Sequence, residues 1–181
     1  PDQVFVLTDS NTRNFCLPLL PKLISGKKVH PIEIGQGEQV KNLETIKNIW
    51  SQLTRKFATR ESVLVNLGGG LLSDIGGFAA STFKRGMHFI NVPTTLLSMV
   101  DASVGGKTGF NFDGIKNHIG VFNSPEYVFI SSSFLDTLSG RQIYAGWAEM
   151  LKHGLIYSSS HFERLLNNSP GKVDKSVLNE L

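Results

Sequence analysis

Cysteine, charge and long hydrophobic runs are all scarce in this sequence of 181 residues. Its single cysteine, Cys16, excludes an internal disulfide and is typical of a cytoplasmic protein in a reducing compartment. No segment approaches the roughly 18 consecutive apolar residues that span a bilayer, so we expect no membrane insertion. Charged residues make up only 18% of the chain, without a block of like charges interleaved with aromatic residues. A nucleic-acid partner is therefore not expected.

Hydrophobic residues account for 40% of the chain, which is ordinary for a folded protein and too much for a disordered one. The length suffices for one good-sized domain but not for two complete ones. The formal net charge of +3 is compatible with an anionic ligand and does not identify one. The chain begins at Pro1 in a strand-like run without a signal peptide, and we expect its natural N-terminus, with any targeting signal, to lie upstream.

Strand-like and helix-like segments alternate along most of the chain. The predicted strands are Gln3–Leu7, Val29–Ile34, Glu61–Leu67, Phe89–Val92 and Tyr127–Ser131. Helices are predicted from the Thr8–Asn11 turn to about Leu23, from Glu38 through Leu53, from Leu71 to about Phe83, within Pro93–Asp101, and from about Ser139 to the end. This order predicts an α/β fold over residues 1–138, with a Rossmann-like parallel sheet and helices on both faces. Residues 139–181 are predicted to be the first helices of an incomplete α-helical domain.

The sharpest local pattern is a strand that runs into three glycines, over Val63–Gly70, and then into a helix that contains Asp74 and Gly77. Such a turn lets backbone amides approach a pyrophosphate at a helix N-terminus. The spacing differs from the usual dinucleotide-binding motif, so a simple tight turn explains it equally well. Small residues within the helix are expected to permit close packing.

Two lysines lie in segments rich in glycine. Lys107 follows Gly105-Gly106, and Lys116-Asn117 lies between Gly114 and Gly120. We expect both segments to be mobile loops that bring ammonium groups and an amide onto an anion, because phosphate is bound by charge together with several donors. The alternative is an ordinary solvated lysine, although Lys107 has few charged neighbours in the sequence.

Glu149, Lys152 and His153 occupy positions i, i+3 and i+4 of the last predicted helix and so share one face. A glutamate and a histidine at this spacing can both reach a metal ion. An exposed face with a modest ion pair is the alternative, and on spacing alone it is favoured. The remaining histidines show no ligand-like spacing.

Polar residues also follow the first two predicted strands. Asp9 and Asn11 come directly after the first strand, at the edge where parallel sheets bind ligands, but helix capping explains them equally well. Glu38 and Lys41 follow the second strand, where a carboxylate in the first turn of a helix is also favoured by the helix dipole.

Taken in order, these segments resemble 3-dehydroquinate synthase along essentially the whole chain. The most specific segment is Pro93–Asn111, which is typical of sugar-phosphate cyclases. The other matching segments are Thr8–Asn11, Gly37–Lys41, Leu67–Ala80, Lys84–Gly86, Lys116–Phe122, Phe134–Leu138 and Ala148–Ile156. Ser73 and Ser139 depart from the usual glycine and proline of the family, at positions that supply no side chain to the chemistry.

The resemblance implies a role for each matching residue. The adenosine end of NAD would contact Asp9, Asn11, Glu38 and Lys41, and the pyrophosphate and ribose would contact Gly69, Gly70 and Asp74. The cofactor pocket would be completed by Thr94, Thr95, Lys107, Lys116, Phe134, Thr137 and Leu138. The substrate would be bound by Asp101, Lys107, Asn117 and Lys152, and Arg85 would reach the phosphate in a neighbouring subunit of a homodimer.

The resemblance also implies a divalent metal, zinc or cobalt, with Glu149 as its first ligand. The family's two histidine ligands come from a downstream helical domain, so we expect this chain to be inactive alone, and His153 is not expected to replace them. The implied reaction converts 3-deoxy-arabino-heptulosonate 7-phosphate to 3-dehydroquinate and phosphate, with NAD regenerated in each turnover. The alternatives are another sugar-phosphate cyclase, an iron- or zinc-dependent alcohol or glycerol dehydrogenase, and a non-catalytic nucleotide-binding module.

Overall fold

The computed structural model describes residues 1–20 and 28–167. The described residues form seven strands: β1 (Val4–Thr8), β2 (Val29–Glu33), β3 (Val63–Gly68), β4 (His88–Pro93), β5 (Lys107–Phe112), β6 (Ile115–Phe122) and β7 (Tyr127–Val128). Five of them make a parallel sheet in the order β2-β1-β3-β4-β7, and β5 pairs with β6 in a separate antiparallel hairpin.

The helices of the described residues are α1 (Ser10–Phe15), α2 (Leu43–Arg55), α3 (Gly70–Thr82), α4 (Gly140–Tyr157) and α5 (Ser159–Asn167). Short 3-10 turns occur at Leu17–Leu19, Glu38–Val40, Phe83–Arg85 and Ser132–Thr137, and a π-helical turn spans Ser98–Ala102. None of the helices in the described ranges is long and apolar enough to cross a membrane.

The two faces of the parallel sheet bury separate apolar clusters, because successive side chains of a strand point to opposite faces. On one face Phe5, Leu7 and Phe89 pack with residues of α2 and α3, among them Ile49 and Ile75. The opposite face packs against Cys16, Leu20, Met99 and Phe134. The predicted parallel sheet is confirmed. Among the described residues, however, its second face is covered by the segment that follows α1 and by short helical turns rather than by long helices.

The first predicted helix is wrong beyond Phe15. Cys16 caps α1, and a 3-10 turn with Pro18 in its first turn follows, since proline cannot continue the hydrogen-bond ladder of an α-helix. The last residues of that prediction, 21–23, lie outside the described residues. Pro31 also stands within β2, at the edge of the sheet, where proline is tolerated.

The prediction that Glu38 and Lys41 open a long helix is also wrong. A 3-10 turn covers Glu38–Val40, and α2 begins only after Asn42, whose side chain accepts a hydrogen bond from the Thr45 amide at 3.0 Å. The asparagine cap separates the two elements, because a capping residue takes an extended rather than a helical backbone. Lys41 therefore lies outside α2, and the helix does not determine the direction of its side chain.

The segments around Lys107 and Lys116 are strands of a hairpin, so the prediction of two mobile loops is wrong. Gly109 and Gly120 face each other in the hairpin, and a Cβ atom added to Gly109 would lie 2.4 Å from the Ile119 carbonyl oxygen. The glycines therefore serve the close pairing of two strands, whereas in the sequence they looked like loop residues. The strand predicted over Tyr127–Ser131 is shorter, at Tyr127–Val128.

The last helices pack in a third cluster formed by Leu96, Trp147, Met150 and Leu165. A Cβ atom at Gly146 would lie 2.6 Å from the Leu97 nitrogen, so this glycine allows α4 to approach the backbone after β4 closely. The helical prediction from Ser139 is confirmed as far as Asn167, and residues 168–181 lie outside the described residues. The division into domains at residues 138 and 139 stays a prediction.

Candidate functional site

The carboxyl ends of β1 and β3 mark the topological switch point of the sheet, because the chain moves from β1 to β2 on one side and continues with β3 on the other. Open parallel sheets bind their ligands in the crevice at such a point. Asp9 directly follows β1, and Gly69 and Gly70 directly follow β3. The fold thus brings together two segments that the sequence separates by about sixty residues.

A cavity of about 470 Å³, here called the switch-point cavity, opens at this edge. It is lined by nine of the residues expected to contact NAD: Asp9, Asn11, Gly69, Gly70, Thr94, Thr95, Phe134, Thr137 and Leu138. These residues come from the ends of β1, β3 and β4 and from the turn before α4. Because these residues line one cavity, they can contact the same ligand.

Asp9 has a structural role as well as its place in the cavity. Its Oδ1 accepts a hydrogen bond from the Thr12 amide at 2.8 Å, and its own amide donates to Thr12 Oγ1 at 3.0 Å. This reciprocal pair is a capping box at the start of α1, so the capping interpretation of Asp9 is confirmed.

The start of α3 provides uncapped backbone donors. Gly69 is the capping residue, and it has no side chain to bond the free amides of the first turn. A Cβ atom at Gly69 would lie 3.2 Å from Thr95 Cγ2, so a larger residue would crowd the cavity wall. Uncapped amides and the positive end of the helix dipole together favour an anionic group here.

A second cavity, of about 520 Å³, lies under the β5–β6 hairpin and is here called the hairpin cavity. Its lining includes Asp74, Asp101, Lys107 and Asn117. The two cavities adjoin, since a Cβ atom at Gly70 of the switch-point cavity would lie 3.1 Å from Ala102 Cβ of the hairpin cavity. A ligand in one cavity can therefore approach a ligand in the other across a wall of small residues.

Lys41 is buried at the base of this region and joins two of its residues. Its Nζ lies 2.5 Å from Asp74 Oδ2 and 2.5 Å from Asn117 Oδ1. Burial raises the pKa of Asp74 above its ordinary value, and the hydrogen bond from Lys41 acts in the opposite direction. The resemblance implies that Asp74, with Gly69 and Gly70, contacts the pyrophosphate and ribose of NAD, and the structure places Asp74 in the lining of the hairpin cavity.

Six of the predicted site residues line neither cavity: Lys41, Glu149 and Lys152, whose contacts are described separately, and Glu38, Lys116 and Arg85. Glu38 accepts a hydrogen bond from Asn111 at 2.8 Å, and Lys116 lies 4.0 Å from Glu38. Arg85 is exposed in the left-handed turn after α3. Its expected contact with a neighbouring subunit requires that exposure. Their predicted roles with ligands stay predictions.

Glu149 and His153 of α4 lie beside Asp101 of the π-helical turn, and one ligand atom of each residue lies within 4.8 Å of the other two. This set of two carboxylates and an imidazole is suited to a divalent cation. Lys152 forms an ion pair with Glu149, and that contact raises the pKa of the Lys152 ammonium. The family resemblance implies no ligand role for His153, yet the structure places its Nε2 3.3 Å from Glu149 Oε1.

Some lining residues were missed by the sequence analysis. Gln142, Thr12 and Phe15 line the switch-point cavity, and His118 lines the hairpin cavity. Gln142 lies in the first turn of α4 without any pattern that distinguishes it from a surface residue. In a regular strand His118 would point to the face opposite its neighbour Asn117. Asn117 has a positive φ of 51°, so β6 is irregular there, and both residues line the cavity.

The fold and the two cavities together define a class: α/β proteins that bind ligands at the carboxyl edge of a parallel sheet, at its topological switch point. The family model described as 3-dehydroquinate synthase N-terminal matches residues 31–145. The 3-dehydroquinate synthase of Parabacteroides distasonis is 44% identical over 180 residues, which are 99% of this chain and 51% of that protein. The chain therefore belongs to the 3-dehydroquinate synthase family, which confirms the resemblance, and it spans about half the length of the curated relatives that it matches.

Solved structures of related cyclases share the fold. A 2-deoxy-scyllo-inosose synthase complexed with carbaglucose-6-phosphate, NAD⁺ and Co²⁺ has a TM-score of 0.79 and 30% identity, over 84% of this chain and 42% of that one. A 2-epi-5-epi-valiolone synthase from Streptomyces hygroscopicus subsp. jinggangensis with NAD⁺ and Zn²⁺ bound has a TM-score of 0.73 and 26% identity, over 98% of this chain and 52% of that one.

Proposed function

We propose that this chain is the NAD-binding half of a 3-dehydroquinate synthase, a phosphate-eliminating carbon–oxygen lyase of the shikimate pathway. The pathway leads to chorismate and the aromatic amino acids. The observation that carries the proposal is the pair of adjoining cavities, one lined by residues that match the family's cofactor residues and the other by residues that match its substrate residues. An oxidised cofactor and a sugar phosphate have to meet in this way for a hydride to pass between them.

NAD is assigned to the switch-point cavity. The uncapped start of α3 suits its pyrophosphate, and Thr94 and Thr95 offer hydroxyl groups on the neighbouring strand end. Two related cyclases were solved with NAD⁺ bound, which supports the same cofactor here. The side-chain amide of Gln142 also lines this cavity.

The phosphorylated seven-carbon sugar acid is assigned to the hairpin cavity. Lys107 supplies a cation for its phosphate, and Asn117 supplies an amide that Lys41 fixes in place through Asn117 Oδ1. Asp101 lies at the boundary with the metal-binding residues and can orient a substrate hydroxyl. Lys152 is the second cation proposed for the substrate, once its ammonium leaves Glu149.

A divalent metal is assigned to Glu149, with Asp101 and His153 near enough to contribute donors. The donor set fits zinc or cobalt, the two ions found in the related cyclases. When bound, NAD supplies the hydride exchange and the metal supplies Lewis acidity at the oxidised oxygen. The native protein is further proposed to be a cytoplasmic homodimer in which Arg85 reaches the partner's substrate.

Phosphate release from 3-deoxy-arabino-heptulosonate 7-phosphate, with NAD and zinc, tests the function. The native protein that carries this sequence and the 181-residue chain alone are assayed side by side. Release by the native protein only would support both the activity and the need for metal ligands from outside this chain. No release by a folded, NAD-bound native protein would contradict the proposal and favour a different sugar phosphate or an alcohol as substrate.

Lys107→Ala tests the assignment of the substrate site. We expect phosphate release to fall by roughly 100-fold or more, because a charged hydrogen bond to phosphate is lost, whereas NAD affinity changes little. Lys47→Ala, on the exposed face of α2, is the matched control and should leave both unchanged. Normal release by Lys107→Ala, measured as kcat with NAD affinity from calorimetry, would exclude this lysine from the site.

A further inference from the structure

A buried pair of asparagines connects the sheet to the turn that carries Asp101. Asn66 of β3 and Asn91 of β4 are register partners in the parallel sheet, and both are buried. Asn66 Nδ2 donates to Asn91 Oδ1 at 2.9 Å, and Asn91 Nδ2 donates to the Ser103 carbonyl oxygen at 2.9 Å. Buried amides are costly unless they are bonded, so these contacts define where the side chains lie.

Ser103 is the residue at which the π-helical turn ends. Its amide donates to the Ser98 carbonyl oxygen at 3.1 Å, which closes the turn around Asp101. Beyond Ser103 the chain passes through two glycines to Lys107, and the Gly106 carbonyl oxygen accepts from the Asn123 amide at 2.8 Å. The Ser103 carbonyl group is thus a fixed point along the chain between Asp101 and Lys107, both of which line the hairpin cavity.

We propose that Asn91 is a positioning residue that sets the placement of Asp101 and Lys107 by donating to the Ser103 carbonyl oxygen. Asn91 lines neither cavity, so it acts through the backbone and touches no ligand. The identity of the ligand in the hairpin cavity rests on the function proposed above, whereas the tie to Ser103 does not. Val104 is 57% exposed and a Cβ atom at Gly105 would meet no atom within 4 Å, so few packing contacts hold this segment and the hydrogen bond from Asn91 has a large effect on its position.

A matched pair of variants separates positioning from simple stability. Asn66→Ala and Asn91→Ala each remove one buried amide and the shared hydrogen bond between the two asparagines, but only Asn91→Ala releases the Ser103 carbonyl group. A purely structural role predicts equal losses in both variants. Positioning predicts a loss of turnover that is specific to Asn91.

Turnover of the native protein is measured first. We expect Asn91→Ala to lower kcat by about 10- to 100-fold with NAD affinity unchanged, because small displacements of reacting groups have effects of that size. Asn66→Ala should lower kcat by less than about threefold, and Asn91→Gln, which retains a donor amide, should recover part of the loss. Equal losses of kcat in both alanine variants would overturn the proposal. If Asn91→Ala does not fold, Asn91→Asp replaces the donating nitrogen with oxygen, and a wild-type kcat in that variant would overturn it.

Amide hydrogen exchange provides a readout that is independent of the reaction. Peptides that cover residues 99–107 should exchange faster in Asn91→Ala than in the wild type, and Asn66→Ala should leave them unchanged. Unchanged exchange in Asn91→Ala would overturn the proposal even if the substrate is turned over. Absence of turnover by the wild-type protein would contradict the proposed function, and the exchange result would then decide the role of Asn91.

Discussion

Lys41 shows how much one buried side chain contributes to the polar region beneath the hairpin cavity. The residue is 6% exposed, and its ammonium group bonds both the Asp74 carboxylate and the Asn117 amide oxygen. The Lys41 carbonyl oxygen also accepts a hydrogen bond from the Asn111 backbone amide at 2.8 Å. This bond connects the segment before α2 to the hairpin. A buried charge requires a partner, because an unpaired ion in the interior loses its hydration without compensation.

We expect Lys41→Met to lower the free energy of unfolding by about 2–3 kcal/mol, because it leaves the partly buried Asp74 without its cation. Some access of Asp74 to solvent keeps the loss below that of a fully buried pair. Lys47→Met is the matched control in the exposed pair with Glu44 and should cost less than about 1 kcal/mol. Urea denaturation of both variants measures the difference, and equal losses would contradict a special role for Lys41.

At the scale of the element, α3 packs closely against the sheet at Gly76. A Cβ atom at Gly76 would lie 1.9 Å from Asn66 Oδ1 and 2.9 Å from Leu7 Cδ2. The predicted close packing of the small residues in this helix is therefore confirmed. The start of α3, with its uncapped amides, follows the end of β3 directly along the chain, where the switch-point cavity opens, and the close packing holds the rest of the helix against the sheet.

Gly76→Ala is expected to lower the free energy of unfolding by about 1–3 kcal/mol, because overpacking outweighs the better helix propensity of alanine. Gly140→Ala, in the first turn of α4, meets no atom within 4 Å and should be neutral or slightly stabilising. Thermal or urea unfolding compares the two variants. A neutral Gly76→Ala would show that Asn66 and Leu7 can move away, and the close packing of α3 would then have no energetic consequence.

At the scale of the whole molecule, ligand binding at the switch point couples to the stability of the sheet, because the residues of that cavity come from the ends of three strands and from the turn before α4. We expect NAD at about one hundred times its dissociation constant to raise the free energy of unfolding by about 2.7 kcal/mol.

Gly69→Val should abolish this stabilisation by NAD, because its side chain would crowd Thr95 across the cavity. Gly140→Val, outside both cavities, is the control and should keep the full effect. Denaturant unfolding with and without NAD makes the comparison. An unchanged response of Gly69→Val to NAD would place the cofactor elsewhere.

Much of the parallel sheet and part of the site follow from the sequence alone. Short apolar segments that alternate with helix-like segments predict the strands. The glycines after β3 mark a strand–helix turn, and Asp9 is a recognisable helix cap. These features depend on neighbours within a few residues, so local preferences decide them. Residue types in the matching segments also indicated which positions belong to a ligand site.

Only the tertiary structure decided the rest. The partners of Lys41 and the bond from Asn91 to Ser103 join residues 12 or more positions apart, and the hairpin of β5 and β6 pairs residues as distant as Lys107 and Phe122. Such contacts depend on strand register and on the packing of α3 and α4 against the sheet, which no local pattern encodes. For the same reason the adjacency of the two cavities, across Gly70 and Ala102, is a property of the folded chain.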